Sequence, residues 1–267
     1  MTAQPADYPY LITENNWDNP NEYRAEFPFL VATYGRMAGI DAWSFFAHST
    51  PLWDTGMGVW NTASPIIMGQ YPAYALMFRR GDVVEGPPAV QETVNLENLY
   101  KGQPIALPEI QYKDFVWKAM LGGDLNVDFN SKISPRAFFA GPVRLEFSDQ
   151  EANLKTADLA KLIDEQQGTI YNTNGQLEWH YKKGFAQVDT PTSQGAAGFL
   201  KDAGEIVLSD VTLSSQNQYG TLAAVSLDGK PLRDSGSILI QAVTQDKPFG
   251  YKTQPIDKQG GVRVTAL

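Results

Sequence analysis

Glu14 closes the short apolar run "PYLIT", and Asn15, Asn16 and Trp17 follow it directly. A carboxylate at the end of a strand is held rigidly enough to act as a nucleophile or as a proton donor. Two amides and an indole beside it offer hydrogen bonds and a flat apolar face. Further along, Trp43, Trp53 and Trp60 supply more such faces, and His48 can meet hydroxyl groups. That set suits a neutral, polyhydroxylated ligand. Each residue also has a plainer reading. A glutamate after an apolar run is most often a solvated cap, Trp43 in "DAWSFF" fits an ordinary core, and Trp53 and Trp60 can simply pack a long loop.

Composition narrows the chemistry. With 21 basic and 30 acidic residues the net charge is −9, so a phosphate backbone or an anionic membrane would be repelled and neither nucleic acid nor membrane is an expected partner. The chain has no cysteine, which removes disulfides, thiolate metal sites and cysteine nucleophiles. Its only histidines, His48 and His180, are far apart, and no metal or other cofactor is expected. The first nine residues lack the basic start and apolar centre of a signal peptide, and no apolar run nears the ~20 residues that span a bilayer. Compartment is left open, secretion or a periplasmic location of a full-length form included.

The elements that must position Glu14 alternate strand and helix. "PYLIT" reads as a buried parallel strand, and Tyr23, Phe27, Leu30, Val31 and Tyr34 recur at helical spacing over 21–37, with Pro28 expected to bend or restart that helix. Gly39 stops it, "IDAWSFFA" is the next strand, and "PIIMGQYPAYALMFRR" is a second helix closed by two arginines and Gly81. Gly and Pro then cluster in "GDVVEGPPAVQ". Residues 91–134 form a mixed linker segment, within which "KDFVWKAML" suits a helical turn.

From 135 to 267 the pattern is β-rich and sandwich-like. "AFFAGPVRLEFS" reads as strand, "ANLKTADLAKLIDEQQG" as one amphipathic helix, and "TIYNTNGQLEWHYKKGFAQVDT" as two strands joined at Asn174-Gly175, with His180 exposed on a strand. The runs around 204–215, 219–234 and 237–244 alternate in period two, and Asp228-Gly229 gives a second hairpin signal. The fold class is therefore α/β plus β.

The order over Tyr8 to Asp82 resembles the last two βα units of the (β/α)8 barrel in clan-A retaining glycoside hydrolases, the group that includes family 5 cellulases and family 42 β-galactosidases. The resemblance implies that "PYLITENNW" is strand seven with Glu14 as catalytic nucleophile, and that "GIDAWSFFA" is strand eight with Trp43 on the floor of a sugar site. Asn15, Asn16, Trp17, His48 and Trp53 would contact the substrate. A non-proline cis peptide between Trp43 and Ser44 is a further expectation. The part beyond Asp82 looks like the accessory β domain of large multidomain members, so the expected units are a barrel portion over 1–90, the linker over 91–134 and the accessory domain over 135–267. Retaining hydrolysis needs a second carboxyl group about 5 to 5.5 Å from the first. The family's acid/base, a glutamate after an asparagine on strand four, has no counterpart before Glu14, and Asn21-Glu22 reads as a helix cap. The chain is thus expected to be the C-terminal part of a larger hydrolase of β-linked glycans, inactive alone, with the rest of the barrel as its partner. A non-catalytic carbohydrate-binding or scaffold protein is the alternative.

Overall fold

The computed structural model describes residues 3–48, 50–53, 56, 58–103, 133–247, 249–250, 252–255 and 262–265. The segment 113–121, expected as a helical turn, lies outside them. A two-residue strand, β1 (Gln4–Pro5), leads to β2 (Leu11–Asn15), helix α1 (Glu26–Leu30), β3 (Ala42–Phe45), α2 (Pro65–Met68) and α3 (Tyr71–Arg80). β2 and β3 pair in parallel, joined by the helix. The helix expected from residue 21 begins only at Glu26, two residues before Pro28. This proline sits in the first turn, where its missing N–H would have had no intrahelical acceptor. The helix continues as a π-helical turn over Val31–Gly35, and α3 ends at Gly81 in the left-handed conformation, φ 71°.

Next come β4 (Val90–Asn95), α4 (Leu96–Tyr100), α5 (Ala137–Ala140), β5 (Val143–Ser148) and β6 (Asn153–Thr156). They build a four-stranded sheet in the order β1-β5-β4-β6. This sheet joins the start of the segment 91–134 to two strands from beyond residue 135 and to the first residues of the chain, so it crosses the expected domain boundaries. The helix expected over 151–167 is not formed. Its first part is β6, paired antiparallel to β4, and only one helical turn, α6 (Leu159–Leu162), remains before β7 (Ile163–Asp164). Ladder hydrogen bonds and the packing of Leu154 outweigh the local helical pattern.

The remaining strands are β8 (Thr169–Tyr171), β9 (Leu177–His180), β10 (Phe185–Asp189), β11 (Ser193–Gly198), then helix α7 (Leu200–Ala203), β12 (Ile206–Val207), β13 (Thr212–Leu213), β14 (Gly220–Ser226), β15 (Ile238–Val243), β16 (Lys252–Pro255) and β17 (Val262–Thr265). Seven of the strands form one antiparallel sheet, order β15-β14-β11-β10-β9-β8-β7. The "TIYNTNG" stretch yields three strands rather than two. Gly175 (φ 73°) turns β8 into β9, and the chain turns again at Gly184 into β10. His180 is half-buried instead of exposed, stacked on Phe185 at 4.5 Å between ring centres.

One face of the seven-stranded sheet carries the α/β segment. Phe29, Tyr34, Met37, Tyr74 and Met77 from the helices share a core with Leu177, Ala186, Val188, Ala197, Ala223 and Val225 from the strands. The opposite face is covered in part by α7 and the β12–β13 hairpin, through Leu200, Ile206 and Leu208. A polar clamp ties the two regions together. Arg80 holds Asp82 at 2.5 and 2.6 Å and donates to the Ser226 carbonyl at 2.6 Å, while the Ser193 hydroxyl donates to Asp82.

Candidate active site

Alternation along a strand sets which side chains meet. On β3, Trp43 and Phe45 face the helices, and on β2 Ile12 joins them opposite Trp43. Between Ile12 and Asn15 the register slips, so that two residues of β2, Thr13 and Glu14, face one of β3, Ser44. Such a bulge re-aims the side chains at its centre, here Thr13 and Glu14. Glu14 is exposed at the C-terminal end of β2, and no side-chain partner engages its carboxylate among the described residues. Asn15 is exposed beside it, and its carbonyl accepts from Phe46 N at 2.9 Å.

Trp43 does not join this rim. Its ring packs edge-on to Phe27 at 6.2 Å and lies against Gly35, where any Cβ would meet the indole at 3.4 Å. With Phe45, Tyr71, Tyr74 and Phe78 it lines an apolar cavity of ≈ 210 Å³ on the helix side of the sheet. The parity of β3 thus sends Trp43 toward the helices and away from the rim that carries Glu14. The cis peptide expected after Trp43 is also elsewhere: the non-proline cis bond joins Phe46 to Ala47.

The other expected contacts divide between rim and support. Asn16 spends its amide on structure, donating to the Trp60 carbonyl at 3.0 Å and accepting from Trp17 N at 2.8 Å. Trp17 is half-buried and stacked on Phe27 at 6.0 Å. His48 is exposed on the loop after β3, and Trp53 is exposed on the same loop.

The residue that organises the rim is Arg24, which the sequence reading passed over. Its side chain is buried and donates to the Trp17 carbonyl at 2.8 Å, to the Asn19 amide oxygen and to the Asn61 carbonyl. Burial pushes its pKa down, opposed by Asp246 and Asp18. Its acceptors lie on separate loops with no periodic relation, so no local pattern signals it.

Of the other carboxylates considered for the second catalytic role, Asp41 accepts from Tyr10 N at 2.8 Å, at the N-terminal end of β3 and so at the far end from Glu14. Glu22 forms an ion pair with Lys247 at 3.1 Å. Asp54 lies outside the described residues. Among the described residues no cluster of three or more His, Asp or Glu suits a metal ion, and no helix is long and apolar enough to cross a membrane. No family model, curated protein or solved structure matches the chain.

Proposed function

We propose that this chain supplies the nucleophile half of a retaining glycoside hydrolase acting on β-linked glycans. The observation that carries the reading is Glu14: an exposed carboxylate without a side-chain partner among the described residues, at the C-terminal end of a parallel strand and within a register bulge, in a strand-helix-strand-helix unit. That end of parallel strands is where α/β barrels build active sites. Glu14 would attack the anomeric carbon while a second carboxyl group, from outside the described residues, protonates the departing oxygen. Water then opens the glycosyl ester, with the second group acting as base.

The parallel pair favours completion by further strands. Among the described residues β2 and β3 form a sheet of two, with Leu11, Ala42 and Ser44 exposed on the face away from the helices. Parallel strands are ordinarily covered on both faces. The test is turnover by an assembled form in which six further βα units accompany this chain. Hydrolysis with retained configuration is expected, and Glu14→Gln should lower it by at least about 10³-fold while leaving the fold intact. Near-normal rates in that variant would remove Glu14 from the mechanism.

A specific observation also favours a second, non-catalytic reading, in which the chain only binds glycans. Asp41 and Glu22 are engaged away from Glu14, so neither of these two described carboxylates pairs with it. Robust hydrolysis by this chain alone would exclude that alternative.

A further inference from the structure

The stretch Gly58–Asn61 follows the β3 loop, and each of its four carbonyls is held. Gly58 O accepts from the Asn19 amide at 2.9 Å, and Val59 O from Asn19 N at 2.8 Å. Trp60 O accepts both Ala47 N at 2.7 Å and the Asn16 amide at 3.0 Å, and Asn61 O takes Arg24. The backbone of Trp60 is thus as fixed as that of a sheet residue. Yet its side chain is 58% exposed, with the Phe46 ring 5.8 Å away as its only aromatic neighbour among the described residues.

A large aromatic that is pinned by polar anchors and still left in water is preorganised for a ligand, since little freedom is lost when one binds. Its surroundings decide which. Backbone hydrogen bonds from Phe46 N to the Asn15 carbonyl and from Ala47 N to the Trp60 carbonyl bring this stretch beside the end of β2 and next to His48, where Glu14, Asn15 and His48 are exposed, and the net charge of −9 opposes anionic partners. A flat apolar face framed by hydrogen-bonding groups matches the CH face and equatorial hydroxyls of a pyranose.

We propose that Trp60, supported by Phe46 and locked in place by Asn16, Asn19 and Arg24, is a stacking platform for one pyranose ring of a neutral glycan. The proposal takes its ligand class from the glycan reading of Glu14 but not its chemistry, because stacking needs no second carboxylate. The platform therefore works in this chain as it stands.

Calorimetric titration of the full chain with cellohexaose, laminarihexaose and mannohexaose tests it. At least one hexaose should bind, Trp60→Ala should weaken it by about 10-fold or more, and Trp60→Phe should restore part of the loss. Ile240→Ser, an exposed apolar position on the edge strand β15, should leave binding unchanged. In the unsubstituted chain the bound hexaose should shield Trp60 from N-bromosuccinimide oxidation, read by peptide mapping, which keeps the test independent of how the variants fold. Binding to none of the three, wild-type affinity in Trp60→Ala, or Trp60→Ala acting only by abolishing self-association would overturn the platform. Turnover that ignores Glu14 while Trp60-dependent binding persists would instead sink the catalytic reading and leave the platform standing.

Discussion

The seven-stranded sheet and the two-stranded sheet obey the same pairing rules with opposite completeness. In the larger one, every strand between the two edges has neighbours on both sides, and its inner face is sealed by helices. The smaller one is parallel, has two strands among the described residues, and exposes residues of one face. Leucine shows the contrast directly: Leu177 on β9 is 1% exposed, whereas Leu11 on β2 is 55% exposed. The smaller sheet carries the exposed Glu14 carboxylate, which has no side-chain partner among the described residues, and lies near the exposed Trp60, so the open face coincides with the proposed chemistry.

The largest effect that would sharpen this contrast is in the shared core. Leu177→Ala should cost about 2 to 5 kcal/mol, and because its neighbours include helix residues, circular dichroism and tryptophan fluorescence should report one coincident urea transition. Two separated transitions would show that the regions fold independently, as the sequence pattern beyond residue 135 suggests.

Second in size is the clamp. Asp82→Ala leaves a partly exposed Arg80 and the Ser193 hydroxyl without their acceptor, and a loss of about 2 to 3 kcal/mol is expected, below the range for fully buried pairs. An unchanged denaturation midpoint would mean that apolar packing alone joins the two regions.

These two positions also show what the sequence could and could not reveal. The strand-helix-strand-helix order, the Gly81 stop and the Asn174-Gly175 turn were legible because each rests on local spacing or on a residue that tolerates positive φ. That Trp43 faces the helices and not the Glu14 rim was not legible, because composition cannot tell which face of a strand a side chain takes, and the β2 bulge leaves no mark in the residues. The helix read over 151–167 failed because β4 needed a neighbour more than that stretch needed helical bonds. Arg24 stayed hidden because its acceptors at positions 17, 19 and 61 converge only in the fold.

A smaller effect is pH-dependent and lies at the seam, where Glu26 of α1 sits beside Tyr219, next to β14. Burial raises the Glu26 carboxyl pKa, opposed by the Tyr219 hydroxyl. The folded state then holds its proton to higher pH than the unfolded chain, so this group's contribution declines as pH rises from the ordinary glutamate pKa through the raised one. Denaturation midpoints across that window should fall more steeply for the wild type than for Glu26→Gln. Parallel curves would place Glu26 in solvent.

Smallest of all is Leu11→Ala, which should change the stability of this chain by no more than about 0.5 kcal/mol, as for other exposed positions. In an assembly that covers the open face, the same substitution should cost several times more. Equal, small costs in both settings would argue that nothing packs there.

The central claim is that Glu14 is the attacking group, and covalent trapping tests it most directly. An assembled form would be treated with 2-deoxy-2-fluoro-β-glycosyl fluorides, whose leaving group needs no acid, and digested for mass spectrometry. The account predicts one fluorosugar per active site, esterified to the peptide that contains Glu14. Inactivation with the label on any other carboxylate would contradict it.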